Sequence, residues 1–308
     1  MLRYIAVRTG GALAVLAAIT LFVAYGIRLT GDPAAALFEG AGAPSAEDIA
    51  RIQRALGTNR PFIEQYASFV SRAAKGDLGT SFRNSQPVLN LIGERAPATL
   101  ALASGGMVVA LGAAFPLGIY AATHRNALSD ILIRIASLLG LSFPNFWLGI
   151  MLILIMAVRL RLLPPSGYTS AVSLIMPCVT LGIILASTLV RLVRASLLDT
   201  LSQPYVRTAR AKGLREQVVI ARHALRNALL PIVTFVGLQF GGLLGGVVIL
   251  ENVFARPGVG QLALEAVSYR DYPVVQGVVV VLALGVCLIN LMVDISYGLL
   301  NPRVRVGL

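Results

Sequence analysis

Lysine, histidine and cysteine occur twice each in this chain of 308 residues, and tryptophan once. The lack of lysine excludes a phosphate-cradling G-x-x-x-x-G-K-[ST] loop, because Lys75 and Lys212 are each followed by glycine and not by a hydroxyl that could hold magnesium. Energy for any ATP-driven work must therefore come from a partner. With only His124 and His223, and no H-E-x-x-H, a buried zinc or nickel site built from histidines is not available. Cys178 and Cys287 lie in apolar runs, where they read as small packing residues and not as a disulfide or metal pair. Acids are also scarce, 14 Asp and Glu against 26 Lys and Arg.

What is abundant is apolar surface. At 56% hydrophobic and 13% charged residues, with mean hydropathy +0.79, the chain is too apolar for a soluble domain and reads as a polytopic, all-α membrane protein. Its net charge of +12 is almost all arginine, and nothing resembles a nucleic-acid module, so the excess reads as inside-face asymmetry in a lipid membrane.

Arg3 and Arg8 precede an apolar run from Gly10 to Ile27 that ends at Arg28. A cleaved signal peptide has a core of about 7–15 residues; this run is longer and suggests a retained signal-anchor helix over residues 1–30. Residues 31–96 balance seven basic residues against Asp32, Glu39, Glu47, Asp48, Glu64, Asp77 and Glu94, as an external helical insert should. Within it Ser45 and Asp48 form a capping box, Ile49, Ile52 and Leu56 a stripe, and Gly57 a stop. Pro61 opens a second helix with Phe62, Tyr66, Phe69 and Val70 inward, ending at Gly76.

Residues 97–308 then supply five further spans: Ala98 to Ala122 with a kink expected at Pro116, Ile135 to Val158, Leu174 to Val193, Ala228 to Leu250, and Val274 to Leu299. His124, Arg125 and Arg134 mark a cytoplasmic turn between the first two. The second contains FPNFWLG, with Asn145 and Trp147 in the bundle or at an interface. Gly237, Gly241 and Gly245 recur at four-residue spacing, a strip for helix packing or a hinge. Asp294, near the inner end of the last span, suggests pairing or snorkelling, or a functional carboxylate. Arg3 and Arg8, Arg125 and Arg134, the eight basic residues from Arg191 to Arg226, and Arg303 and Arg305 place fourteen inside; the other twelve face ten acids outside. Both termini inside requires an even number of spans, and six fit.

Between the fourth and fifth spans lies DTLSQPYVRTARAKGLREQVVIARHALRNALLP, a loop over 199–227 that is basic and nearly free of acids. Pro204 opens a short helix that Gly213 closes in a left-handed cap, with Tyr205, Val206 and Ala209 on one side. Val218, Ala221, Leu225 and Leu229 form the stripe of the helix that follows. On composition alone it reads first as a solvated loop that fixes topology.

The run YVRTARAKG followed by RHALRNALLP resembles the loop bearing the "EAA" signature in permease subunits of bacterial binding-protein-dependent ABC importers of the dipeptide, oligopeptide and nickel branch. Arg207, Thr208 and Ala209 stand where Glu-Ala-Ala would be, and Gly213 takes the place of the signature glycine. The family glutamate is missing, so its contact does not carry over, whereas the helix-then-glycine geometry does. GDPAAAL, LGTNRPFIEQY and GDLGTSF resemble the family's external segment, and ENVFARPGVGQLALEAVSYRDYP an external motif with Glu251, Pro257, Gly258, Gly260, Arg270 and Asp271 at matching places.

The resemblance implies the type I importer permease fold and a coupling helix, Tyr205 to Lys212 with Arg210 among its residues and His223 nearby, that docks on a cytoplasmic ATPase. It implies a second homologous permease subunit, two ATP-binding subunits holding ATP and magnesium, an external solute-binding protein, and no cofactor in this chain. Gly237, Gly241 and Gly245 would lie near the path. The expected cargo is a peptide, with nickel or a metal chelate as the alternative; a self-sufficient secondary transporter would show more mid-membrane acids or histidines than Asp294.

Overall fold

In lipid every backbone N–H and C=O must be paired within the chain, and the structure answers with helices almost throughout. The computed structural model describes the backbone of residues 2–36, 45–168 and 170–300, and the side chains within them except at 2–8, 30, 35, 36, 244, 246 and 294–300. Glu39, Arg303 and Arg305 fall outside the described residues, as do the side chains of Arg3, Arg8 and Asp294.

Helix α1 (Leu2–Gly26) runs into a 3-10 turn, Ile27–Thr30, and is followed by α2 (Pro33–Ala36), α3 (Ala46–Leu56) and α4 (Phe62–Ala73). Helix α3 begins as expected: the Ser45 hydroxyl accepts the Asp48 N–H at 3.1 Å and donates to the Asp48 carboxylate at 2.6 Å, and Gly57 ends it at φ +70°. In α4 Phe69 is buried, but Val70 is 43% exposed, because it stands one residue, about 100° of helix, off the Phe62–Tyr66–Phe69 line.

Helix α5 (Val88–Thr123) is unbroken through residues 96–98 and through Pro116, where a kink was expected. Its 36 residues are about 54 Å long, well beyond a hydrocarbon layer of about 30 Å, so part of it stands outside the lipid. Then come α6 (Leu128–Ser142) and α7 (Asn145–Leu152), the latter continued by a π-helical turn, Ile153–Arg159.

The span expected from Ile135 to Val158 is thus two helices bent by 100°. Phe143 is extended at φ −95°, ψ 133°, as a residue ahead of proline must be, and Pro144 has no N–H with which to continue the ladder. Arg134 accordingly sits inside α6 and not in a turn. Among the described residues five helices are long and apolar enough to cross a membrane, or up to six if the bent pair is counted as one span.

A 3-10 turn, Ala171–Leu174, leads into α8 (Ile175–Leu201), which runs on past the expected end at Val193 and so carries Arg194 and Asp199 as well as Arg191. There follow α9 (Pro204–Ala211), α10 (Glu216–Val218), a π turn at Val219–Ala224, α11 (Leu225–Gly246), α12 (Val248–Val253), α13 (Val259–Ser268) and α14 (Tyr272–Leu300).

The chain groups into two compact units. One comprises residues 1–99 and 257–288, with Ile27, Phe69, Leu78, Val88, Ile92, Leu262, Tyr272 and Val278 in its core. The other comprises 100–256 and 289–308 and is built on α8, fifteen of whose residues are buried. Helices α5, α6 and α11 pack against α8 through small residues. A Cβ added at Gly118 would come within 2.7 Å of the Val193 Cβ and 3.0 Å of the Val190 carbonyl oxygen, and one at Gly106 within 2.7 Å of the Leu181 Cγ. Between helices in lipid there is little hydrophobic drive, and close backbone approach of this kind supplies the contact instead.

Candidate functional site

The basic loop folds as a short helix set on a register shift. Pro204 occupies the first turn of α9, where its missing N–H costs nothing, and Gly213, one residue past the Lys212 cap, takes φ +74° and donates its N–H to the Arg210 carbonyl at 2.9 Å. Val206 is fully buried and Ala209 nearly so, packed with Val219 and Leu201. Tyr205 does not share their side: it is 41% exposed, with its hydroxyl accepting from Asn227 Nδ2 at 2.8 Å.

The outward face of α9 presents Arg207, Thr208, Arg210 and Lys212, all exposed. Arg210 is paired with Glu216 at 2.6 Å, an exposed pair that contributes at most about 1 kcal/mol. His223 is half-buried, and its carbonyl accepts from Asn227 at 3.4 Å.

The stripe expected at Val218, Ala221, Leu225 and Leu229 is displaced. Val218 and Ala221 are exposed, and the fully buried positions are Val219, Ala224 and Ala228. The first step of five residues is the signature of the π turn at Val219–Ala224, whose extra residue rotates every later side chain relative to an α-helical count. Val219, at the start of the turn, packs under Val206 and Ala209, and the rotation brings Ala224 and Ala228 to the buried side after it.

The glycine strip is not one packed face. Gly237 meets the Val293 side chain so closely that an added Cβ would overlap it, and Gly241 is buried, but Gly245 and Gly242 have open space around them. The backbone break at Val247, between α11 and α12, ends the repeat.

The expected external motif passes from one compact unit to the other between Arg256 and Pro257. In the first part Glu251 is fully buried and its carbonyl accepts the Arg256 N–H at 2.7 Å. The Arg256 side chain is 3% exposed, donates to the Gly167 carbonyl at 3.4 Å and lies over the Tyr168 ring at 5.2 Å. Burial pulls its guanidinium below the ordinary arginine value, while Glu251 is among the groups pulling the other way.

In the second part Gly258 precedes α13 and gives its carbonyl to Leu262, Gly260 is buried, and Pro257 is half-buried. Asp271 is buried and gathers the 81–83 turn, accepting from the Ser81 hydroxyl and from the N–H groups of Phe82 at 3.1 Å and Arg83 at 3.4 Å. Arg270, at φ +54°, lays its guanidinium against Gly31, where a Cβ would stand 3.2 Å from it.

One constellation lies outside every motif of the sequence. Asp130, whose side chain is fully buried, receives Nε and Nη2 of Arg194, both at 2.7 Å, and caps Asn126, a residue at φ +68°. The signal was available: Asp130 is the sole acid between Glu94 and Asp199.

The comparisons agree with this architecture. Residues 114–306 match the family model described as "Binding-protein-dependent transport system inner membrane component", and residues 1–103 match that of its N-terminal part. The "Glutathione transport system permease protein GsiC" of Escherichia coli (strain K12) and that of Salmonella paratyphi A are each 41% identical over 306 residues, covering 99% of either chain. A chain from the solved structure "Inward facing conformations of the MetNI methionine ABC transporter", 21% identical, superposes with a TM-score of 0.59 over 69% of this chain and 97% of its own, which shows a common fold. A helical chain whose basic loop folds into a glycine-ended helix, and which matches these relatives from end to end, belongs to the family of inner-membrane components of binding-protein-dependent transport systems.

Proposed function

We propose that this chain forms one half of the transmembrane path of an ATP-driven importer for short peptides of the glutathione kind. The chain is a permease subunit and has no ATPase site of its own. The other half of the path is a second, homologous permease, cargo arrives on an external solute-binding protein, and two ATP-binding subunits carrying ATP and magnesium dock on α9 at the cytoplasmic side. The observation that carries the substrate reading is the 41% identity to glutathione permeases over 99% of both chains. It favours a peptide over nickel or a metal chelate, and over self-sufficient secondary transport.

Helix α9 supports the docking reading. Two side chains, Val206 and Ala209, anchor it while its basic residues remain exposed, so a partner that grips the helix moves the packed segment behind it. Orientation follows from charge, with the loop and both termini inside. The test is uptake of radiolabelled glutathione and of a dipeptide into cells that express the complex with its binding protein. Uptake should need both the binding protein and ATP. A complex that assembles and hydrolyses ATP yet imports neither compound would refute the substrate; a chain with which no ATPase copurifies would refute the docking.

A further inference from the structure

Three arginines converge where α6 packs along α8. Arg134 comes from α6 and Arg191 and Arg194 from α8, and with Leu138 they line a cleft of about 200 Å3. One acid serves them. Asp130 is committed to Arg194 and to the Asn126 N–H, while Arg191 gives its Nε to the Ser187 carbonyl at 3.3 Å. Among the described residues neither Arg134 nor Arg191 forms an ion pair. Arg134 also lies within reach of the Asp130 charge, but no acid pairs with it or with Arg191, and the exposed α6 side chains beside Arg134 are apolar, a placement that suits an anion.

The surroundings say which kind. Leu128, Ile131, Ile135 and Leu138 are all exposed on α6, at the three- and four-residue spacing of a single stripe. Arg134 lies three residues after Ile131 and four before Leu138, on the same side. A free phosphate would engage only the guanidinium groups; an amphiphile would use the arginines and the stripe together.

We propose that this cleft binds the phosphate of one anionic phospholipid of the phosphatidylglycerol type, with an acyl chain along the α6 stripe. Arginine suits the task, since its planar donors meet phosphate oxygens in pairs. Arg194 remains the structural member, held by Asp130, while Arg134 and Arg191 supply the binding charge. The lipid would clamp α6 to α8, the helix that leads directly into the docking loop. The proposal stands independently of the cargo.

The test uses the whole complex, purified with its partner subunits in detergent and offered equal amounts of palmitoyl-oleoyl phosphatidylglycerol and phosphatidylcholine. Bound lipid is counted by native mass spectrometry. The parent should retain phosphatidylglycerol preferentially, and Arg134→Gln/Arg191→Gln should lose about thirtyfold of that preference, each basic group near an anionic lipid being worth about fivefold. Arg134→Lys/Arg191→Lys should keep most of it, and ATPase copurification should be unchanged in both. A parent without preference, a glutamine variant that binds like the parent, or removal of the lipid by millimolar inorganic phosphate would each overturn the proposal. So would loss of the ATPase from the glutamine variant, which would make the arginines assembly residues.

Discussion

Gly213 is where the docking assignment is most exposed to test. It sits at φ +74°, and a Cβ built there meets nothing within 4 Å. The cost of a side chain is therefore conformational and not steric. For an L-residue the left-handed region costs about 1–2 kcal/mol, less for asparagine, and a β-branched residue is disfavoured most strongly. Since each 1.4 kcal/mol is about tenfold, Gly213→Val should reduce the population of the native turn by about five- to thirtyfold.

Helix α9 itself should survive, because Val206 and Ala209 stay anchored on Val219 and Leu201; what shifts is its angle to the segment that follows. The assay is a paired one in proteoliposomes: ATP hydrolysis stimulated by the binding protein, and cargo moved per ATP. Gly213→Val should insert normally, hydrolyse ATP and transport several-fold less per ATP, whereas Gly213→Asn should stay close to the parent. If valine and asparagine behave alike, the left-handed turn is not what positions the helix. If valine transports as the parent does, the loop is not the coupling element.

Asp130→Asn leaves the half-buried Arg194 without its counter-charge and should destabilise the complex by about 1–3 kcal/mol in thermal melts in detergent, with Asp130→Asn/Arg194→Gln recovering part of the loss; equal melting of the single variant and the parent would mean the pair is solvated. Gly118→Ala pushes a Cβ against the Val193 Cβ and the Val190 carbonyl and should cost about 1–3 kcal/mol, while Gly112→Ala in the same helix, with open space around it, should be neutral or slightly stabilising. A cysteine at Ser68 should react with an impermeant thiol reagent in intact cells and one at Gln217 should not; both positions are exposed in the fold, so labelling at Gln217 from outside would reverse the orientation.

The sequence by itself determined those features whose causes lie within a few residues. Ser45, Asp48 and Gly57 delimit α3 because a hydroxyl three residues from an N–H and a residue free to adopt positive φ are local matters. Pro204 and Gly213 delimit α9 for the same reason, and the arginine-rich loop follows from composition alone. The FPN break was equally local, since Phe143 must be extended before Pro144, but it was hidden by an apolar run long enough to be read as one span.

Only the tertiary structure decided which faces meet. The π turn at Val219–Ala224 inserts a residue into the helical count, and nothing in the spacing of VVIARHAL distinguishes the buried face Val219, Ala224 and Ala228 from Val218 and Ala221. The repeated glycines Gly237, Gly241 and Gly245 look more like a packing face than Gly106 or Gly118 do, yet the tight crossings with α8 fall on the latter. Asp130 finds Arg194 across 64 residues of chain. Caps and charge excess are fixed by nearest neighbours along the chain, whereas packing in an apolar bundle depends on shape at crossings between helices far apart in sequence, where every candidate face is equally hydrophobic.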